Sequence, residues 1–297
     1  MTRRIAFFGC QGTLPNSPTR RPDAFEHDRQ IEALRAGLQG TNVEVVDIDW
    51  RAPLEELTQF PLAILGTSWD YTERKDEFVD RLTALEAASV MVCNPASIVR
   101  WNADKSYLKE MADRGVPSIP TLWLDDANTH AIARAMTELS ATRIVAKRRV
   151  GAGAIGQFSF SSDAMPADSW RMGAPAMVQP FLQSICDEGE YSFIFIDGAL
   201  SHALIKRPVS GDYRVQSLYG GREIAVEPDR RDREQAQHVI DALPFPVPLY
   251  ARIDMVRGDD GQLRLMEAEL IEPYLYPEQG PALGLMLGQA VLRRLDI

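Results

Sequence analysis

The first hundred residues alternate short apolar runs, rich in β-branched side chains, with helical patterns. The expected strands are 4–9, 43–48, 62–66 and 89–93, and the expected helices lie near 25–38 and 75–88. Strands that alternate with helices form parallel sheets covered by helices on both faces. The sequence therefore predicts a doubly wound α/β unit over residues 1–117, in which a helix near 103–114 is ended by Gly115 and Pro117.

The pattern changes after Pro117. Residues 118–185 show hairpin-type strands, a Gly-rich turn and one helix, whereas residues 186–297 show longer alternating strands of a mainly antiparallel sheet. The expected elements are strands at 143–148, 157–160, 176–181, 190–197, 199–206, 250–257 and 263–270, and helices near 129–139, 231–242 and 281–295. We predict an α/β (α+β) fold with an N-terminal parallel α/β domain, a small central lid domain and a C-terminal antiparallel domain.

Composition argues against several classes of function. The net charge is −10, and an acidic surface repels the phosphate backbone of nucleic acids. We find no apolar run of the roughly 18 to 20 residues that a membrane helix needs. Three distant cysteines and four scattered histidines form neither a disulfide framework nor a zinc motif. We therefore expect a cytoplasmic protein with small-molecule partners, and any metal to be bound by carboxylates.

Two predicted strands carry a concentration of charge and are joined by the turn G-D-D-G. Because side chains alternate along a strand, Arg252 and Asp254 share one face, and so do Glu267 and Glu269. Such carboxylates are the oxygen ligands that Mg²⁺ and Mn²⁺ prefer. The alternative is a solvated hairpin face with ordinary salt bridges.

A phosphate-binding pattern lies in the central part of the chain. Lys147 ends a predicted strand, and Gly151 and Gly153 follow within a turn whose amides can approach phosphate oxygens. The pattern matches neither a P-loop nor a dinucleotide fingerprint, since a strand follows the turn. The alternative is a plain hairpin turn. A second lysine, Lys105, lies near the start of a predicted helix and alone is an ordinary exposed charge.

These features occur in a definite order along the chain. The pieces are N-A-D-Lys105, I-V-A-Lys147 with its Gly-rich turn, M-V-Q-P-F-L at 177–182, Glu190-Y-S-F, Lys206-R, Arg214, Arg252-I-Asp254 and M-Glu267-A-Glu269. Over residues 94–295, their order and spacing resemble the ATP-grasp superfamily of carboxylate–amine ligases. That superfamily includes D-alanine–D-alanine ligases, glutathione synthetases and ribosomal-protein glutamate ligases.

The resemblance implies an ATP site. It assigns the phosphates to Lys105 and Lys147, under a closing loop that contains Gly151 and Gly153. It assigns the adenine to the backbone of a hinge formed by Gln179, Pro180, Phe181 and Leu182, and a ribose or adenine contact to Glu190.

The resemblance also implies two Mg²⁺ ions, with Mn²⁺ as a substitute, held by Asp254, Glu267 and Glu269. The last position departs from the E-x-N motif of many members, because Glu269 stands where they have asparagine. The extra carboxylate adds negative charge beside the phosphates and bears on the choice of metal.

Two phrases resemble one branch of the superfamily more closely. G-T-S-Trp69-Asp70-Tyr71 and M-E-A-E-L-I-E-P-Y-L-Y are similar to small-molecule ligases that include the cyclo-ligase of D-cycloserine biosynthesis. Trp69, Asp70 and Tyr71 follow a strand at its C-terminal end, where doubly wound sheets place ligands, so we expect them to contact substrate. The alternative is a turn whose aromatic side chains cover the core.

The chemistry that the resemblance implies is attack of a substrate carboxylate on ATP, which gives an acyl phosphate that an amine then attacks. Arg252 is expected to stabilise the tetrahedral oxyanion, and Lys206 and Arg214 to hold carboxylate or phosphate groups. Two alternatives stay open, namely cyclisation of one molecule such as O-ureido-serine, and a non-catalytic ATP-binding module. The resemblance also allows a homo-oligomer.

Overall fold

The computed structural model describes residues 2–151, 156–209, 211–215 and 220–296. The N-terminal part contains a four-stranded sheet in the order β2-β1-β3-β4, with all pairings parallel. Its elements are β1 (Arg3–Gly9), α1 (Phe25–Gly37), β2 (Val43–Asp49), α2 (Leu54–Leu57), β3 (Leu62–Ile64), a 3-10 helix (Trp69–Glu73), α3 (Lys75–Ala87) and β4 (Met91–Cys93). Side chains of α1 cover one face and side chains of α3 cover the other, which confirms the doubly wound prediction.

The link to the next sheet differs from the single helix predicted near 103–114. The structure has two helices, α4 (Ala96–Asn102) and α5 (Tyr107–Asp113). The break has a local cause, because the Lys105 amide donates to the Arg149 carbonyl at 2.9 Å and the Ser106 amide donates to the Asp104 carboxylate at 2.9 Å. Backbone groups that a continuous helix would use internally are thus committed elsewhere.

The central sheet has the order β5-β8-β6-β7, and its pairings are antiparallel. Its elements are β5 (Leu122–Leu124), α6 (Thr129–Glu138), β6 (Arg143–Arg148), β7 (Phe158–Ser161) and β8 (Ala176–Pro180). Asn128 caps α6 by accepting a bond from the Ala131 amide. The short strand β5 was not predicted, because three half-buried residues give no periodic signal.

The C-terminal sheet has the order β11-β10-β9-β12-β13, again antiparallel throughout. Its elements are α7 (Ser184–Asp187), β9 (Glu190–Ile196), β10 (Ala199–Arg207), β11 (Arg222–Val226), α8 (Arg230–Asp241), β12 (Tyr250–Arg257), β13 (Leu263–Glu269) and α9 (Leu283–Arg294). The mainly antiparallel prediction is confirmed. The edge strand β11 was missed, since its side chains are mostly exposed and lack an apolar alternation.

The two faces of this sheet have different neighbours. One face, with Phe193 and Phe195, packs on α8 and α5. The other face carries Ile196 and Tyr250, which pack with α9, α1 and the N-terminal sheet. At the opposite end of that second face, Glu190, Lys206 and Asp254 are charged, and the candidate functional site lies there. Among the described residues, the helices are too short or too polar to cross a bilayer.

Candidate active site

Strands β12 and β13 bring the predicted charged residues side by side. Arg252 pairs in register with Glu269, and Asp254 pairs with Glu267. A β-bulge between Asp254 and Met255 leaves Met266 without a partner of its own. The bulge explains how two consecutive apolar residues can precede Glu267 while the charged side chains keep a common face.

Asp254 is the most enclosed of the three predicted metal ligands, at 2% exposure. Its carboxylate accepts bonds from the Arg252 guanidinium at 3.0 and 3.1 Å, from the Lys206 ammonium at 3.3 Å, and from the Ser192 hydroxyl. Burial opposes its charge, but Arg252 and Lys206 outweigh burial and lower the pKa of Asp254. Asp254 is therefore a charged group fixed by cations.

Lys206 and Glu190 form a second buried ion pair, with 3% of each residue exposed. Burial opposes the ammonium charge, yet the carboxylates of Asp254 and Glu190 raise the pKa of Lys206 above its ordinary value. The strand register explains the contact, because Lys206 lies directly opposite Glu190. Lys206 thus links Glu190 to Asp254.

Glu267 and Glu269 are more open, with 29% of each side chain exposed. The Glu267 carboxylate forms an ion pair with the Lys105 ammonium at 2.7 Å, and the Glu269 carboxylate forms one with the Arg252 guanidinium. Burial raises the pKa of Glu269 to about 7, with Arg252 opposing the shift and the charges of Glu267 and Asp254 adding to it. Negative charge is therefore incompletely balanced on this strand.

The structure does not gather Asp254, Glu267 and Glu269 into one ligand set. Within the described ranges, no group of three or more histidine, cysteine, aspartate or glutamate side chains is arranged to hold a metal ion. Each carboxylate is turned toward a lysine or an arginine instead. Their oxygen donors still fit a hard divalent cation, because two of them are partly open and one has a raised pKa that a cation would offset. Their role as ligands stays a prediction.

An open-mouthed cleft with about 530 Å³ of empty space separates the central sheet from the C-terminal sheet. Much of its wall is apolar, which suits a flat aromatic base, and a few polar groups lie at its rim. The apolar side chains include Ile119, Val145, Phe181, Leu182, Val256 and Met266, and the polar ones include Lys147, Gln179, Glu190 and Arg214. Six of the residues predicted from the ATP-grasp pattern therefore share one cleft with Arg214.

Lys147 is the cation of this cleft without a fixed partner. In the part of the chain that the structure describes, its ammonium makes neither a hydrogen bond nor an ion pair, and burial lowers the pKa of Lys147 despite the nearby charges of Glu267 and Glu190. Lys105 differs, because its ammonium bonds to Glu267 and to the Gly151 carbonyl at 2.7 Å. An anion in the cleft would give Lys147 the partner that it lacks.

The predicted hinge lies along the cleft wall. Gln179 pairs with Val145 in the sheet, and its side-chain amide donates to the Thr121 hydroxyl at 3.0 Å. The Arg143 guanidinium lies 3.6 Å above the Phe181 ring, which fixes that side chain. Among the described residues, the Leu182 N–H has no hydrogen-bond partner. This open donor fits the predicted contact with adenine.

Other predicted residues lie at the edge of the cleft or near it. Arg214 lines the cleft and bonds to the Asp212 carboxylate at 2.7 Å. Gly151 contacts Lys105 through its carbonyl, whereas Gly153 lies outside the described residues.

The three predicted substrate residues lie in the 3-10 helix after β3 and have different surroundings. Asp70 accepts a bond from the Trp50 indole at 2.7 Å, which gives it a packing role. Trp69 is half-buried under the Arg21 guanidinium, 5.1 Å from its ring centre. Tyr71 is buried, and the negative charges of Glu272 and Glu269 lie near its hydroxyl. Substrate contact stays a prediction for all three.

Sequence reasoning missed the residues that fix the backbone of β13. Asn94 bonds to the carbonyls of Tyr250 and Leu270, at 3.0 and 2.7 Å. Asn102 exchanges bonds with the backbone on both sides of Glu269. In the sequence, Asn94 was marked only by the Asn-Pro turn pattern. Asn102 lies alone in a helix, and such an asparagine has no sequence pattern that indicates its role.

Comparison with known proteins is consistent with this geometry. The chain is 30% identical over 285 residues to the cycloserine biosynthesis protein DcsG of Streptomyces lavendulae, and the match covers 89% of this chain and 92% of that protein. The chain belongs to the DcsG family of ATP-grasp ligases. Residues 5–94 match the family model described as the N-terminal domain of D-cycloserine synthetase DcsG. As a member of this family, the chain is an ATP-dependent ligase.

Solved structures agree with the family assignment. The crystal structure of D-cycloserine synthetase DcsG is 26% identical, with a TM-score of 0.76, covering 98% of this chain and 99% of that one. D-alanine–D-alanine ligase from Bacillus anthracis shares the fold at 16% identity, with a TM-score of 0.68 and coverage of 100% and 97%. The ATP-grasp ligase PsnB, solved with Mg and ADP, has a TM-score of 0.66 at 18% identity, with coverage of 99% of each chain. The predicted ATP-grasp fold is confirmed.

Proposed function

We propose that this ligase uses MgATP to convert the carboxylate of a small molecule into an acyl phosphate, which an amine then attacks to form an amide. The observation that carries the proposal is one juxtaposition. An apolar cleft contains Lys147, which has no partner among the described residues, and the carboxylate of Glu267 is close enough to affect its charge. A base, a phosphate chain and a divalent cation can be held in that order.

The residues of the chain have separable tasks in this scheme. Lys147 binds phosphate oxygens, and Lys105 joins it once the bond to Glu267 is exchanged. Bound Mg²⁺ supplies positive charge that neutralises the transferring phosphoryl group. Arg252, held between Asp254 and Glu269, donates to the oxyanion that forms when the amine attacks. Phosphate leaves as the C–N bond forms, and a protein nucleophile is not required.

We further propose that the attacking nitrogen belongs to the same molecule as the carboxylate, so that the reaction closes a ring. In O-ureido-serine this nitrogen is the ureido nitrogen bonded to oxygen, whose attack gives a five-membered ring, and the α-amino group is not the nucleophile. The support is the relationship to DcsG, a cycloserine biosynthesis protein, over most of both chains. O-ureido-serine is the substrate to test first. Joining of two molecules is the alternative, since ATP-grasp relatives include D-alanine–D-alanine ligase.

The test is ADP release from MgATP with amino acids, dipeptides and O-ureido-serine, offered singly and in pairs. Ring closure predicts release with O-ureido-serine alone and a cyclic product by mass spectrometry. Release that requires two different compounds would replace ring closure with intermolecular ligation. ADP release with none of them would contradict the proposed function for this set of substrates.

Several finer expectations belong to the same proposal. Two Mg²⁺ ions are expected, and Mn²⁺ is expected to substitute for them because Asp254, Glu267 and Glu269 offer only oxygen donors. A cytoplasmic location and a homo-oligomer also stay predictions.

A further inference from the structure

The segment after β13 is held rigidly from both sides. Asn94 and Tyr250 bond to the carbonyls of Leu270 and Ile271, at 2.7 and 2.8 Å. Further along, the Arg252 guanidinium donates to the Tyr274 carbonyl at 3.2 Å, and the Leu275 amide donates to the Gln30 side chain at 2.9 Å. The residues between these anchors therefore have a fixed backbone, and Glu272 is one of them.

Glu272 is half-buried, and its carboxylate has no hydrogen bond or ion pair within the described residues. The nearby cations are already committed, because Lys105 pairs with Glu267 and Arg252 pairs with Asp254 and Glu269. Burial and the charge of Glu269 raise the pKa of Glu272 well above its ordinary value, and Arg252 offsets them only in part. The described part of the chain therefore leaves this carboxylate without a stabilising partner.

A second polar side chain, that of Tyr71, lies next to the segment that carries Glu272. Tyr71 is 8% exposed, and its ring packs with Ile271, the neighbour of Glu272, in one buried cluster. Its hydroxyl has no hydrogen-bond partner among the described residues, and Glu272 is the charge that affects it most. The Tyr71 hydroxyl and the Glu272 carboxylate can therefore share one partner, which must be a hydrogen-bond donor and is best a cation.

We propose that Glu272 and Tyr71 form the subsite that binds the ammonium group of the substrate. The inference rests on the proposed function and deepens it, because it states which substrates the ligase accepts. Glu272 pairs with the ammonium, and the Tyr71 hydroxyl accepts one of its N–H bonds. The carboxylate of the same molecule then lies toward Glu267 and Glu269, beside the phosphates. Carboxylates that lack an ammonium group are poor substrates.

The test compares O-ureido-serine with its analogue lacking the amino group, using ADP release by wild type, Glu272→Gln and Tyr71→Phe. For O-ureido-serine we expect the KM to rise at least 20-fold in Glu272→Gln and about 3-fold in Tyr71→Phe. The KM for ATP and the Mg²⁺ concentration for half-activity are expected to stay unchanged. The amino-free analogue should have the same high KM in wild type and in both variants. The exposed Glu227→Gln serves as the matched control.

Two results would overturn the subsite while leaving the proposed function intact. One is an unchanged KM for O-ureido-serine in Glu272→Gln. The other is a shifted Mg²⁺ requirement in that variant with equal use of both compounds, which would make Glu272 a metal ligand. Failure of wild type to release ADP with O-ureido-serine or any amino acid of the panel would instead overturn the proposed function and the subsite together.

Discussion

One face of the C-terminal sheet has two ends with opposite character. At one end, Ile196 and Tyr250 pair with each other and are buried against α9 and the N-terminal sheet. At the other end, Lys206 and Asp254 are equally buried, but both are charged and they form an ion pair. The same strands supply both ends. The alternation of side chains along a strand therefore does not by itself distinguish the end that packs on the N-terminal sheet from the end that forms the candidate active site.

The difference indicates which end of the face can gain free energy by binding a ligand. The apolar end is complete without a ligand, because its surface is already covered by the protein. The charged end is not complete, because Lys147 has no partner within the described chain and Glu269 has a raised pKa. Substitutions at the charged end should therefore change activity with little change in stability, and substitutions at the apolar end should do the reverse.

The largest effect is expected from Glu269→Ala. Loss of this carboxylate should lower the rate of ADP formation by about 1,000-fold, because charge stabilisation of the phosphoryl group is lost. The melting temperature should change little, since 29% of the side chain is exposed and Arg252 keeps Asp254 as a partner. Glu227→Ala is the control. Appreciable turnover in Glu269→Ala would remove it from the metal assignment.

At the apolar end, Gly284→Ala should destabilise the fold by about 1 to 3 kcal/mol through overpacking. A Cβ atom on Gly284 would lie 2.2 Å from the Ala33 carbonyl oxygen, where α9 crosses α1. Urea unfolding measures the change, and kcat of the folded variant should stay close to wild type. Leu285→Ala, at a 57% exposed position of the same helix, is the control. Equal stability of both variants would contradict the close packing.

Lys147→Met should weaken ATP binding by about 10- to 100-fold, as expected for loss of one charge-assisted bond. Isothermal calorimetry with ATP measures the affinity, and Lys109→Met on the exposed side of α5 is the control. Stability should not fall, because burial lowers the pKa of Lys147 and its charge is unfavourable without a ligand. Unchanged affinity would remove Lys147 from the phosphate site.

The last effect appears only in acid and concerns His202, which lies on the same face of β10 as Leu204 and Lys206. Burial lowers the pKa of His202 from its ordinary 6.5 to about 4. Below pH 6.5 the unfolded chain takes up a proton that the folded chain refuses, so stability falls from pH 6.5 toward pH 4 by up to about 1.4 kcal/mol per pH unit. His202→Gln should flatten that slope in urea titrations. Identical slopes would contradict the lowered pKa of His202 in the folded state.

Much of the fold follows from local pattern. Apolar alternation predicted the strands that supply both faces of the C-terminal sheet, and Gly115 marked the end of α5, where its φ of 88° favours glycine. The break between α4 and α5 was not predictable, because it depends on bonds to Arg149 that form only after folding.

The candidate site was predictable as an ordered set of residues and much less as a set of contacts. Strand register explains why Arg252 meets Glu269. The bulge at Met266 and the bond from Ser192 to Asp254 depend on three strands meeting, which residue spacing does not encode. Glu272 is hard to recognise from sequence for a similar reason, since its open carboxylate is defined by what its neighbours already bind.

The most direct measurement of the central claim follows the carboxylate oxygen. O-ureido-serine labelled with ¹⁸O in its carboxylate is turned over with MgATP, and the inorganic phosphate is analysed by mass spectrometry. Activation as an acyl phosphate predicts that one ¹⁸O atom passes from each substrate molecule to phosphate. Turnover that yields phosphate without ¹⁸O would contradict carboxylate phosphorylation and would require a different role for the Lys147 cleft.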